Sequence, residues 1–338
     1  MAFIDRLLQE PRYGWAKTDG TFIKPTKRQL FSEALFRINI FRSKKNWLTV
    51  MSWVMTACMV PFLYLFITEH FSGWMVLAIA AYATIVMGTH GTVWFHRYCT
   101  HRAYAFSHPI FKVITQNLVI KTFPEEVYVL SHHVHHAKSD QPGDPYNPHG
   151  GLMYCMLSDV NHQGVNKEMS EADYARAARM LQHTGVRVNS YQQYMTWGSV
   201  THPLYAVTLW LLNWAVWFTA LYFIGGMPLV SALFSAAMLW FILVRAFNYT
   251  GHGKGEAKHE EGVDFDRSNL SINQTRPGML TGEWHNNHHL FPGSARAGFL
   301  PYQLDLAWIY IFCMYKIGIV ASYHDSKKEF LRRYQKKV

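Results

Sequence analysis

Four apolar stretches, at about 47–67, 74–95, 204–224 and 228–248, set the limits on what this chain can become. A helix needs roughly 20 apolar residues to cross the hydrocarbon of a bilayer, and each stretch is that long. Glu69 to Gly73 joins the first two, and Gly225-Gly226-Met227-Pro228 joins the last two. The reading is an all-α integral membrane protein with four transmembrane helices in two hairpins. A polar region separates the hairpins.

Charge then sets the orientation. Of 32 Lys and Arg residues, none lies in a short connector and one, Arg245, lies within a span. The rest fall in the N-terminal arm, the central region and the C-terminal region. Positively charged loops stay on the cytoplasmic side, so all three regions face the cytoplasm together. Both termini are then cytoplasmic, and residues 96–203 and 249–338 can form one helical cap within a single domain spanning 1–338.

Half of the residues are apolar while the mean hydropathy is only −0.05, so the apolar residues are concentrated in those spans. The net charge of +10 calls for an anionic partner, such as membrane lipid or an acidic substrate. No nucleic-acid motif accompanies it, so no nucleic-acid partner is expected. The basic arm (Lys24 to Gln29 and Phe41 to Trp47) is expected to meet lipid headgroups, and Trp47, Trp53, Trp74 and Trp94 to anchor the span ends. The four cysteines form no CxxC pair, which argues against a disulfide framework or a zinc ribbon. No secretory signal pattern opens the chain. Ser170 followed by Glu171 and Asp173 reads as a helix start, with Gly185 as its stop. The apolar segments 110–123 and 304–320 are expected to lie at the membrane interface.

Nineteen histidines are far more than ordinary usage, and they cluster. His96 and His101 follow the second span. His132, His135 and His136 form an H-x-x-H-H core, and His285, His288 and His289 form another. On a helix, positions i, i+3 and i+4 share a face, so each core can present three imidazoles to one site. His96 and His101 stand five apart, about 140° on a regular α-helix, and need a local distortion to converge. Asn248 and His252, one turn apart, close the fourth span. The nine histidines exceed what one ion can take and imply two, in an open nitrogen-rich site suited to oxygen-activating iron. Carboxylates should orient the imidazoles, with Glu125, Glu126, Asp140, Asp144, Asp264, Asp266 and Glu283 as candidates. His90, His108 and His202 read as packed residues, and His133 points away from its neighbours.

In these boxes, hairpins and cap, the chain resembles the membrane fatty-acid desaturases from about residue 47 to about 310. Asn248 and His252 are similar to the pair that joins the metal site in the acyl-CoA branch, the asparagine through water. The run from His285 to Arg296 is similar to bacterial members of the stearoyl-type branch, which implies a bacterial inner membrane rather than the endoplasmic reticulum. The resemblance implies a di-iron centre held by His96, His101, His132, His135, His136, His252, His285, His288 and His289, with Asn248 through water. It implies O2-dependent insertion of a double bond into an acyl chain carried on CoA, ACP or lipid. No flavin, dinucleotide or fused cytochrome motif occurs, so two electrons come from a separate ferredoxin, rubredoxin or cytochrome b5. Sister enzymes share this architecture, namely acetylenases, decarboxylases forming terminal alkenes, and alkyl hydroxylases, and the boxes leave the choice open. A metal transporter or haem protein would instead place its histidines within the spans.

Overall fold

The computed structural model describes residues 2–158, 164–252, 284–301 and 303–334. Asp264, Asp266 and Glu283 lie outside the described residues. A capping box between Thr26 and Gln29 opens α1 (Lys27–Ile38). Then come α2 (Trp47–Glu69) and α3 (Gly73–Thr100). Next come β1 (Tyr104–Phe106), α4 (Pro109–Gln116), α5 (Glu125–Lys138), α6 (Leu152–Met156), α7 (Glu171–Gln182) and α8 (Tyr191–Trp197). Beyond it lie α9 (Pro203–Thr250), α10 (His285–Leu290), α11 (Leu306–Lys316), β2 (Val320–Tyr323) and α12 (Lys327–Tyr334).

Three of these helices, α2, α3 and α9, are long and apolar enough to cross a membrane. The third carries both of the last two expected spans. Its 48 residues would reach about 72 Å if straight, more than twice the hydrocarbon thickness. It is not straight. Gly225 and Gly226 leave helical geometry, and Gly226 takes φ +65°, where a Cβ is disfavoured. The rings of Trp214 and Phe234 consequently meet at 5.1 Å, although on one straight helix they would stand about 30 Å apart. The two arms of α9 pack together on α2, where Phe62 lies 6.5 Å from Trp214 and 4.4 Å from Phe234.

The second span runs further than its apolar stretch and includes His96. It is also not a uniform α-helix. Tyr82–Met87 and Gly91–Thr100 are π-helical, and Gly91 has no room for a side chain because Trp240 presses against it. A Cβ there would stand 2.6 Å from the indole.

The segment expected at the interface divides in two. α4 leaves Ile110, Val113 and Ile114 exposed, whereas Val119, Ile120 and Lys121 are buried. Asn213 accepts from the Lys121 amide at 2.8 Å and donates to the Val119 carbonyl at 3.0 Å. The indoles of Trp214 and Trp217 donate to the carbonyls of Lys121 and Asn117. Irregular backbone among apolar helices is tolerable only when its polar groups are met in this way.

The segment 304–320 holds only the 11-residue α11, about 16 Å long and too short to cross. Ser170 does cap α7, accepting from the Asp173 amide, while the Asp173 carboxylate pairs with Arg6 at 2.7 Å. Two of the expected tryptophan anchors are interior instead. Trp47 donates to Ser199, and Trp94 donates to Glu125 while stacking on Tyr98.

Candidate metal centre

The distortion required to bring His96 and His101 together is present. The His101 amide donates to the His96 carbonyl at 3.1 Å, an i→i+5 bond that closes one π turn. Residues five apart then share a face, and the two imidazole centroids lie 5.0 Å apart. α5 supplies His132, His135 and His136, α10 supplies His285, His288 and His289, and His252 follows the end of α9. Asn248 lies in the last turn of α9, four residues before His252.

All nine candidate histidines converge, in two groups. His96, His101, His132, His136 and His288 form one, and His135, His252, His285 and His289 the other; within each, one ring nitrogen per residue lies within 4.8 Å of the rest. His133, His90, His108 and His202 belong to neither group. His90 instead meets the Thr115 carbonyl at 2.7 Å.

The expectation that each H-x-x-H-H core serves one site needs correction. α5 gives His132 and His136 to the first group but His135 to the second. α10 does the reverse, giving His285 and His289 to the second and His288 to the first. The reason is helical geometry. Positions i and i+4 are nearly in register, while the residue just before i+4 is rotated by about 100°. Two helices facing each other therefore exchange one imidazole apiece.

The donor set fits a pair of metal ions. Nε2 atoms approach one another closely, with His96 to His288 at 2.8 Å, His288 to His136 at 2.9 Å and His285 to His252 at 3.0 Å. A neutral imidazole has one N–H, and His135 has its own engaged elsewhere. His135 Nδ1 donates to Asp144 at 2.9 Å, and His252 Nδ1 lies 3.0 Å from Asp140. The Nε2 lone pair of His135 then points into the cluster, where a cation would stabilise it. His101 Nε2 is buried without any hydrogen-bond partner. Burial, reinforced by neighbouring imidazoles, also pushes His132, His288 and His289 well below the usual histidine range, which keeps them neutral and able to ligate.

A family model of fatty acid desaturases matches residues 72–311, and those residues carry every one of the nine histidines. The chain belongs to the fatty acid desaturase family. It is a membrane oxidoreductase of fatty acyl chains. It is 25% identical to icosanoyl-CoA 5-desaturase of Limnanthes douglasii over 286 residues, 83% of this chain and 72% of that protein. It is 26% identical to sn-1 stearoyl-lipid 9-desaturase of Anabaena variabilis over 266 residues, 77% of this chain and 88% of that one. A third relative, hex-5-enoyl-[acyl-carrier protein] acetylenase of Moorena producens, is 28% identical over 259 residues, covering 72% and 74%.

Two of the expected orienting carboxylates in this desaturase, Asp140 and Asp144, stand beside candidate ligands. Asp144 is fixed in turn by the amides of Asp140 and Tyr146. The acidic pair opening α5 does other work. Glu125 binds Lys121 at 2.5 Å and Gln116 at 2.9 Å, and Glu126 accepts from the Val200 and Thr201 amides at 2.7 Å each. Sequence reasoning passed over Tyr128, which stacks on His132 at 5.2 Å, and Tyr146, 5.1 Å from His135. Tyr128 stands four residues before His132, so α-helical spacing was the available signal. It also missed Asn287, whose amide donates to the Ala297 carbonyl and to Gln303 and so holds α10 in place.

Proposed function

We propose that each histidine group holds one iron ion and that the enzyme uses O2 to insert a double bond into a fatty acyl chain. The observation that carries this reading is the convergence of nine buried or half-buried imidazoles into two adjoining groups, His136 of one stacked 4.5 Å from His289 of the other. The first ion falls to His96, His101, His132, His136 and His288. The second falls to His135, His252, His285 and His289, with Asn248 completing it through water. When bound, the irons would supply the O2-derived oxidising power that an unactivated methylene demands and that no side chain provides.

The chain's own residues have narrower tasks. Asp144 keeps the Nδ1 proton of His135 in place, leaving Nε2 free toward the ion, and Asp140 sets a negative charge beside His252. Tyr128 and Tyr146 flank the imidazoles of α5 and fix their ring planes.

The membrane arrangement proposed is four crossings, with the two arms of α9 as separate spans and a cytoplasmic cap of residues 96–203 and 249–338. Residues 1–338 then form one domain with both termini cytoplasmic, in a bacterial inner membrane. The substrate is an acyl chain on CoA, ACP or lipid, in keeping with relatives whose names include all three carriers. Two electrons come from a separate ferredoxin, rubredoxin or cytochrome b5.

A second reading, acetylene formation at the same centre, draws on the acetylenase among the relatives. Product analysis by mass spectrometry after expression in a bacterial host separates the two, with His135→Ala and His288→Ala as controls. New alkenes absent from the controls, with two irons per chain, support the proposal. Triple bonds, shortened terminal alkenes or hydroxy acids would move the protein to a sister reaction. Iron-free protein that still forms the product would refute the centre itself.

A further inference from the structure

Beside the first histidine box, a cleft of about 560 Å³ opens between β1, the start of α4 and the end of α7. Its wall carries Arg102, His108, Lys112 and His324 alongside Tyr98 and Tyr323, and no carboxylate lines it. We infer that this cleft binds the phosphate of an anionic membrane phospholipid.

The cations are held there by the fold. Arg102 donates from one guanidinium nitrogen to the Arg179 carbonyl at 2.8 Å. Lys112 donates to the His183 carbonyl at 3.4 Å, one turn further on. Both are thus fixed at the C-terminal end of α7. That capping uses one donor group of each, whereas a guanidinium has five N–H donors and an ammonium three. Among the described residues, neither Arg102 nor Lys112 has an ion-pair partner. Two positioned cations without a counter-charge form a site for a phosphate.

The neighbouring surface says where that phosphate resides. β1 pairs antiparallel with β2, and Ser107 meets the carbonyls of Gly318 and Ile319, so α4 leaves and α11 arrives at the same end of this two-stranded sheet. Both helices present bare apolar side chains. Ile110, Val113 and Ile114 are each about half exposed, as is Ile309 on α11, and Ile317, just past its end, is 72% exposed. Short helices with an uncovered apolar side next to basic residues lie in the plane of the interface, with acyl chains below and headgroups alongside. The ligand is therefore a lipid phosphate rather than a soluble one.

The test is native mass spectrometry of the intact, delipidated protein in detergent, offered phosphatidylglycerol or phosphatidylcholine with matched acyl chains. The unmodified protein is expected to retain phosphatidylglycerol preferentially. Arg102→Gln with Lys112→Gln should weaken that retention by about tenfold or more, since each basic residue contributes at an anionic surface. Arg102→Lys, which keeps the charge, should preserve most of it. Equal retention of both lipids by the unmodified protein overturns the inference without any variant. So does selectivity that survives the double substitution in a protein that melts normally. Inorganic phosphate binding at the cleft with no phospholipid retained would replace the lipid by a soluble ligand and overturn it too.

Discussion

Arg97 and Asp305, 208 residues apart in the chain, form a buried ion pair in which one guanidinium nitrogen reaches both carboxylate oxygens, at 2.8 and 2.9 Å. Arg97 lies in the π turn between His96 and His101, and Asp305 begins α11. Asp305 also accepts from the amides of Ala297, Gly298 and Trp308. The pair therefore joins the first histidine box to the segment that follows the third. Asp305→Asn leaves a buried cation without its counter-charge and is expected to cost about 3–5 kcal/mol. Thermal unfolding in detergent measures this, and an unchanged midpoint would contradict the role.

Asp144→Asn tests the orienting carboxylates. It removes the charge that holds the His135 Nδ1 proton, and such changes typically weaken metal affinity about 10–100-fold. Iron titration of the purified variant should show uptake of both ions shifted together to higher iron concentration. His133→Ala, outside both groups, should leave iron content at the wild-type level.

Close packing of α3 against α9 gives a third prediction. Gly91→Ala would place its methyl carbon 2.6 Å from Trp240, and overpacking of this kind costs about 1–3 kcal/mol. Gly73→Ala, at the start of the same helix with open space around it, should be close to neutral. Equal effects of the two on the unfolding midpoint would refute the contact.

Glu126 predicts a pH dependence. Burial pushes its carboxyl up to about 7 from 4.5, against the pull of its two backbone N–H bonds. Between those values the folded state holds a proton that the unfolded state has lost. The contribution to stability is thus complete below pH 4.5 and is lost as the pH rises through 7, by about 3 kcal/mol in all. Glu126→Gln cannot titrate. The stability of wild type relative to this variant should fall as the pH goes from 4.5 to 7. Parallel curves would show that Glu126 keeps one protonation state.

Much of this was legible in the residues. Apolar runs marked the long helices by length and composition, and the H-x-x-H-H spacing of α5 and α10 followed from helix period, whereas His96 and His101 needed a π turn. The sharing of ligands between α5 and α10 was not, because it depends on how two helices face each other. The reversal at Gly225-Gly226 left a sequence signal, but the docking of residues 117–121 on Asn213 and Trp214 left none. Whether an acidic residue near the boxes turns toward a histidine, as Asp144 does, or toward a lysine, as Glu125 does, is likewise decided by tertiary packing.

The exchange of one imidazole between α5 and α10 has a consequence for assembly. On the proposed assignment, neither ion can be fully coordinated until both helices are docked, and each helix then grips both ions. Filling one position therefore orders ligands of its neighbour, so occupancy should rise as a single cooperative step. A half-loaded species would be scarce at every iron concentration. The chain would in effect count its cofactor in twos, and a lesion in either box would empty the whole centre.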